Sequence, residues 1–123
     1  MARAADARMP KPILNTIWAS QIQEKINRDF PKFGSINSEQ RVSASLRGQY
    51  LDNWSSEFLN NPKATIVRLA CRLDSCWLRL NRGAAEVHSI DVDMPDAAAL
   101  CARIVSVPEG DYKLLASDVT GEA

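Results

Sequence analysis

The sequence has no run of about 18 consecutive apolar residues, the length a helix needs to cross a bilayer. Its opening, Met1-Ala2-Arg3-Ala4-Ala5-Asp6-Ala7-Arg8, also lacks the hydrophobic region of a secretory leader. Neither membrane spanning nor secretion is expected, and a cytoplasmic location is. The signatures of common enzyme classes are missing too: no Gly-rich phosphate loop, no Walker-type lysine, no HExxH and no GxSxG. Glycine is scarce at 5 residues, histidine occurs once as His88, and the 3 cysteines are an odd number. Cys71, Cys76 and Cys101 are expected to be reduced, because disulfides rarely persist in a cytoplasmic compartment. A zinc site would have to gather all three with His88 across a CxxxxC spacing at the limit of the usual range. A Cys–His nucleophilic pair has the same weakness. Small buried hydrophobes are the simpler use of the cysteines, and no metal and no cofactor is expected.

What is present is ordinary for a folded chain: 123 residues, 46% hydrophobic and 24% charged. That length suits one domain, read here as residues 10–123 behind a flexible N-terminal arm, residues 1–9, that ends at Met9-Pro10-Lys11-Pro12. The balance of 15 basic and 15 acidic residues hides an asymmetry. Residues 1–84 hold 13 Lys/Arg against 7 Asp/Glu, and residues 85–123 hold 2 against 8. Such polarity suits either a basic interaction face or two parts of one fold that attract each other, and the second is the simpler.

Periodicity predicts an α+β fold in which three N-terminal helices pack with a small C-terminal strand-helix-strand unit. Ile13, Leu14, Ile17, Trp18, Ile22, Ile26 and Phe30 recur at helical steps over residues 12–30, closed by Pro31 and Gly34. Asn37 and Gln40 have capping-box spacing before a stripe of Val42, Leu46, Tyr50, Trp54 and Phe58. Gly48 within that helix suggests the close approach of another backbone or a mild kink. Asn61-Pro62 then opens a third helix over residues 63–81, stopped by Gly83, in which Ile66, Leu69, Ala70, Leu73, Trp77 and Leu80 face inward. The same residues also read as two strands that change phase at Asp74-Ser75, and a meander over residues 64–92 joined by the last strand is the alternative fold. Residues 86–93 resemble an acidic edge strand, Met94-Pro95-Asp96 starts a helix that runs to Pro108, and Tyr112 to Ala116 reads as a final strand.

Three features could carry function. Arg68, Arg72, Arg79 and Arg82 would line one face of the third helix and could contact phosphates or an acidic partner. Trp18, Trp54 and Trp77 fall one on each helix, as core anchors would, although Tyr50, Trp54 and Phe58 beside Arg47 would also suit an interface. Asp91 and Asp93 share one strand face near Glu86 and His88, where a metal or acid–base role needs a pocket and a solvated strand edge does not. By elimination the expectation is a non-enzymatic interaction module: a small regulator or inhibitor that occupies the surface of a partner protein, of the kind carried by phages, plasmids and bacterial defence or counter-defence systems. Homodimerisation is compatible with that reading and membrane binding is not. The alternatives are a nucleic-acid-binding module that uses the arginine face, and a small enzyme that uses Asp91, Asp93 or His88.

Overall fold

The computed structural model describes residues 1–26, 28–61, 63–74, 76–80, 88–105 and 110–121. It divides into two compact units, Met1–Trp54 and Ser55–Ala123. The expected α+β class holds, since several helices accompany a three-stranded parallel sheet. No described helix is long and apolar enough to cross a membrane.

In the first unit, helix α1 (Ala2–Ala7) occupies the stretch read as an arm. Asp6, 0% exposed, fixes the path of residues 13 and 14 by accepting the backbone N–H groups of Ile13 (3.1 Å) and Leu14 (2.9 Å), together with a guanidinium N–H of Arg41 (3.2 Å). This explains why the helix expected over residues 12–30 is shorter. The N–H groups of Ile13 and Leu14 serve a carboxylate, Asn15 takes a left-handed backbone (φ 49°), and α2 runs only over Ile17–Lys25. A short 3-10 turn, Phe30–Phe33, ends at Gly34, whose φ of 93° suits only glycine.

Helix α3 (Ser38–Phe58) begins at the predicted capping box. The Gln40 N–H donates to Asn37 Oδ1 (2.8 Å), and the Asn37 N–H donates to Gln40 Oε1 (3.2 Å). The core assignment of its apolar stripe is corrected. Trp54 is 59% exposed, and Leu46, Tyr50, Leu51 and Phe58 are exposed with it. The helix instead buries Ser45 and Gly48, one turn apart. A Cβ on Gly48 would stand 3.0 Å from Leu14 Cδ2, so the glycine admits a side chain rather than a backbone. Trp18 is exposed as well, and Tyr50 packs at a tilt against Trp54 with ring centroids 4.8 Å apart.

The second unit corrects the third helix. Asn61 does not cap one: its Oδ1 accepts the N–H of Lys63 in a tight turn (3.2 Å), and the chain then enters strand β1 (Thr65–Leu69). A turn over residues 70–74 leads to a short helix, α4 (Cys76–Leu80). Strand β2 (His88–Asp93), helix α5 (Pro95–Ile104) and strand β3 (Tyr112–Ala116) complete the unit. The strand order is β1-β2-β3 with both pairings parallel, so β2 is central rather than an edge, and the meander alternative, which needs antiparallel neighbours, is excluded. Helical periodicity fails over residues 63–81 because backbone pairing to β2 decides the first part of that stretch, and pairing depends on residues far away in sequence. The readings placed on Pro62, Ser75, Arg82, Gly83, Glu86 and Pro108 lie outside the described residues.

Register fixes the two faces of the sheet. Arg68 is aligned with Asp91 and Asp91 with Leu114, while Leu69 is aligned with Val92 and Val92 with Leu115. Side chains alternate along a strand, so Arg68, Ser89, Asp91, Asp93 and Tyr112 share one face and Val67, Leu69, Val92 and Leu115 the other. Trp77 of α4 lies against the first face, its ring tilted against that of Tyr112 with centroids 5.7 Å apart. On the second face Val67, Leu69 and Leu115 are exposed.

Candidate functional site

In a parallel sheet every strand points the same way, so one rim gathers all the strand carboxyl ends. In open α/β sheets that rim is where ligands sit, because the strand-to-helix turns there are free to vary while the sheet holds them in place. Here the rim carries the turn after β1, Asp93 at the end of β2, and Ser117, whose N–H donates to the Asp93 carbonyl (2.9 Å).

Asp93 is 5% exposed and acts as the clamp of this rim. Its Oδ2 accepts the backbone N–H of Arg72 in a short hydrogen bond and the thiol of Cys71 (3.9 Å), and its Oδ1 accepts the N–H of Met94 (2.9 Å). An ionised carboxylate offers about four acceptor positions, and these three donors occupy three of them. One layer deeper, Asp91, 4% exposed, takes a two-pronged ion pair from Arg68 (2.6 and 2.7 Å) and the hydroxyl of Tyr112 (3.0 Å). The reading of Asp91 and Asp93 as a solvated strand edge is therefore overturned: β2 lies between two neighbours and both carboxylates are buried.

The two buried carboxylates shape the titration of their surroundings. Burial, reinforced by the negative charge of Asp91 and Asp93, pushes the Cys71 thiol up to about 12. Burial and then the same two charges raise Cys101, and burial followed by Asp91 raises Tyr112. Each of these groups holds its proton in the folded chain at a pH where the unfolded chain, with thiols near 8.5, has released it. Above about pH 9 the unfolded state thus binds fewer protons, and stability must fall as pH rises. Urea unfolding midpoints measured at pH 7.5 and 10.5 should show a clear drop at the higher pH. An unchanged midpoint would mean that the thiols and Tyr112 are not held protonated.

The four arginines proposed as a binding ridge do not share a helix face. Arg68 lies on β1 against Asp91, Arg72 is in the turn, Arg79 is on α4 with its guanidinium 3.4 Å from Asp74, and Arg82 falls outside the described residues. The ridge required a helix through residue 68, and parallel pairing puts a strand there. His88 pairs with Asp111 on exposed surface at the start of β2, at the opposite rim. No group of three or more His, Cys, Asp or Glu able to hold a metal ion occurs among the described residues.

Sequence reasoning missed the turn and Asp93 as one site. The signal that could have revealed them is spacing: a strand, a turn, a helix, and an acid at the end of the next strand, 21 residues beyond Arg72. A nucleotide-binding β-α-β unit places its ribose-binding acid about 20 residues beyond its turn. The glycines that make such a turn visible in a sequence are absent here, where the left-handed positions are Ala70 (φ 52°) and Arg72 (φ 49°).

A β-α-β-α-β unit with parallel strands, a left-handed turn after the first strand and a buried acid at the end of the second belongs to the architectural class that holds nucleotide-like ligands at its rim. Two curated proteins resemble the chain along nearly its whole length. Over 122 residues, 98% of this chain and 44% of the relative, the sequence is 34% identical to the tetracenomycin polyketide synthesis O-methyltransferase TcmP of Streptomyces glaucescens. Over 133 residues, 99% of this chain and 45% of the relative, it is 32% identical to the S-adenosyl-L-methionine-dependent methyltransferase dpfgK of Gibberella zeae. The chain thus spans a little under half the length of the curated relatives it matches. No protein-family model matches the chain, and no solved structure does. Similarity to two methyltransferases along nearly the whole chain overturns the expectation of a non-enzymatic regulator or inhibitor and points to an enzyme.

Proposed function

We propose that this chain forms the S-adenosylmethionine-binding part of a cytoplasmic O-methyltransferase. The observation that supports this best is the clamp at the sheet rim: Asp93, at the carboxyl end of central strand β2, holds the turn after β1, where the acid of a nucleotide-binding unit accepts a ribose hydroxyl. The name of the Gibberella zeae relative supports the same cofactor, and the name of the Streptomyces glaucescens relative supports transfer of a methyl group to oxygen. The cofactor supplies a methyl group on a sulfonium sulfur, and these residues bind and orient it rather than react with it. The expectation of no cofactor is replaced accordingly. Exposed Val67, Leu69 and Leu115 fit the reading, because parallel sheets are ordinarily covered on both faces. In a protein as long as the relatives, further chain would supply that cover.

The test is equilibrium binding of S-adenosylhomocysteine to the chain by calorimetry, alongside the Asp93→Asn variant. A charge-assisted hydrogen bond contributes about 1.5–3 kcal/mol, so the variant should bind roughly ten- to a hundredfold more weakly. Far-ultraviolet circular dichroism would check that it remains folded. If a folded wild-type chain fails to bind S-adenosylhomocysteine, the assignment fails; if Asp93→Asn binds as wild type does, Asp93 loses its role.

A further inference from the structure

Left-handed backbone suits glycine because a Cβ there crowds the neighbouring carbonyl. The described residues include three exceptions, Asn15, Ala70 and Arg72. Asparagine adopts the region more readily than alanine or arginine does. The latter two lie two positions apart in the turn after β1, at the rim proposed to hold the cofactor. In a nucleotide-binding turn, glycine at such positions lets the chain reverse tightly and lets a ligand come close to the backbone. Neither Ala70 nor Arg72 is packed away: both are exposed. The conformation is imposed from outside the turn, by Asp93 accepting the Arg72 N–H and by the Ala70 N–H donating to the Val92 carbonyl (2.8 Å). Strained backbone persists only where surrounding structure over-determines it, as it does here.

We infer that Ala70 and Arg72 determine cofactor affinity at this site, their side chains standing where a glycine turn would admit the ligand and weakening its binding. The inference rests on the reading of the rim as an S-adenosylmethionine site. Arg72 contributes in two ways, through its Cβ and through a long cationic side chain at the approach to the turn. Removing only the long chain should therefore recover part of the affinity, and removing the Cβ as well should recover the rest. Nothing in the clamp is lost on substitution, because Asp93 accepts the backbone N–H of residue 72 whatever its side chain.

The experiment compares the wild-type chain with Ala70→Gly, Arg72→Gly, the double glycine variant and Arg72→Ala. Each is titrated with S-adenosylhomocysteine and each is melted without ligand. The double variant should bind at least tenfold more tightly than wild type, Arg72→Ala should gain less than Arg72→Gly, and the ligand-free midpoint of the double variant should rise by a few degrees as strain is relieved. Equal, measurable affinity in wild type and in folded glycine variants would overturn the inference and leave the cofactor assignment standing. Absence of binding in every folded variant would overturn both.

Discussion

Replacing Asp91 by alanine is expected to unfold the sheet unit or bring it close to unfolding, with a loss of about 3–5 kcal/mol. The magnitude comes from what is left behind. Arg68, whose side chain is 15% exposed, would keep its charge without the carboxylate that takes both of its N–H prongs, and the Tyr112 hydroxyl would lose its acceptor. Breaking a buried pair from one side is costly because the remaining charge stays desolvated; replacing both partners by apolar groups removes that penalty. The variant Arg68→Met/Asp91→Leu should therefore be much more stable than Asp91→Ala alone. Trp77 is the one tryptophan in Ser55–Ala123, so its fluorescence in a Trp18→Phe/Trp54→Phe background tracks this unit without interference from the other. A loss below about 1 kcal/mol for Asp91→Ala would place the pair among solvent-screened surface ion pairs and remove it from the core of the sheet.

The same buried charges show what the sequence can and cannot reveal. Elements specified by local chemistry are legible: the start of α3 from the reciprocal Asn37–Gln40 cap, the start of α5 from Pro95 in its first turn, and β3 from Tyr112 to Ala116. Elements specified by distant partners are not. Residues 64–69 fit an alternating pattern as well as the helical one their spacing favours, and parallel pairing with β2 makes them a strand. Asp91 and Asp93 look like solvent-facing acids on an edge strand because nothing local marks β2 as central; their burial comes from strand order and from Arg68, 23 residues before Asp91.

The rim proposed to hold the cofactor is hidden for a further reason. A nucleotide-binding turn is normally recognised in sequence by glycines, and here the left-handed positions carry Ala70 and Arg72. The arginine then joins an apparent helical series with Arg68 and Arg79, and the proposed cofactor turn reads as part of a basic ridge. Trp18 and Trp54 mislead similarly. A stripe from Leu46 to Phe58 has the period of a core face, yet the residues α3 buries are the small Ser45 and Gly48, with Leu14 seated on the glycine. Periodicity identifies the helix but not the side of it that packs.

In the first unit the largest effect is expected at Asp6, in a segment whose composition suggests an arm with little to lose. Asp6→Ala should destabilise Met1–Trp54 by about 3–5 kcal/mol, because it strands the N–H groups of Ile13 and Leu14 and leaves Arg41, whose side chain is 17% exposed, without its carboxylate. The order of variants is the sharper test. Arg41→Met leaves Asp6 with two backbone donors, so it should cost less than Asp6→Ala. Asp6→Asn keeps one acceptor oxygen but turns an NH2 group toward the remaining donor, and should fall between the two. Urea unfolding monitored by Trp18 emission in a Trp54→Phe/Trp77→Phe background reports this unit. If deletion of residues 1–9 leaves the urea midpoint unchanged, α1 and Asp6 contribute nothing to the unit and the segment behaves as an arm. If the deletion matches or exceeds Asp6→Ala, the carboxylate is what joins α1 to residues 13, 14 and 41.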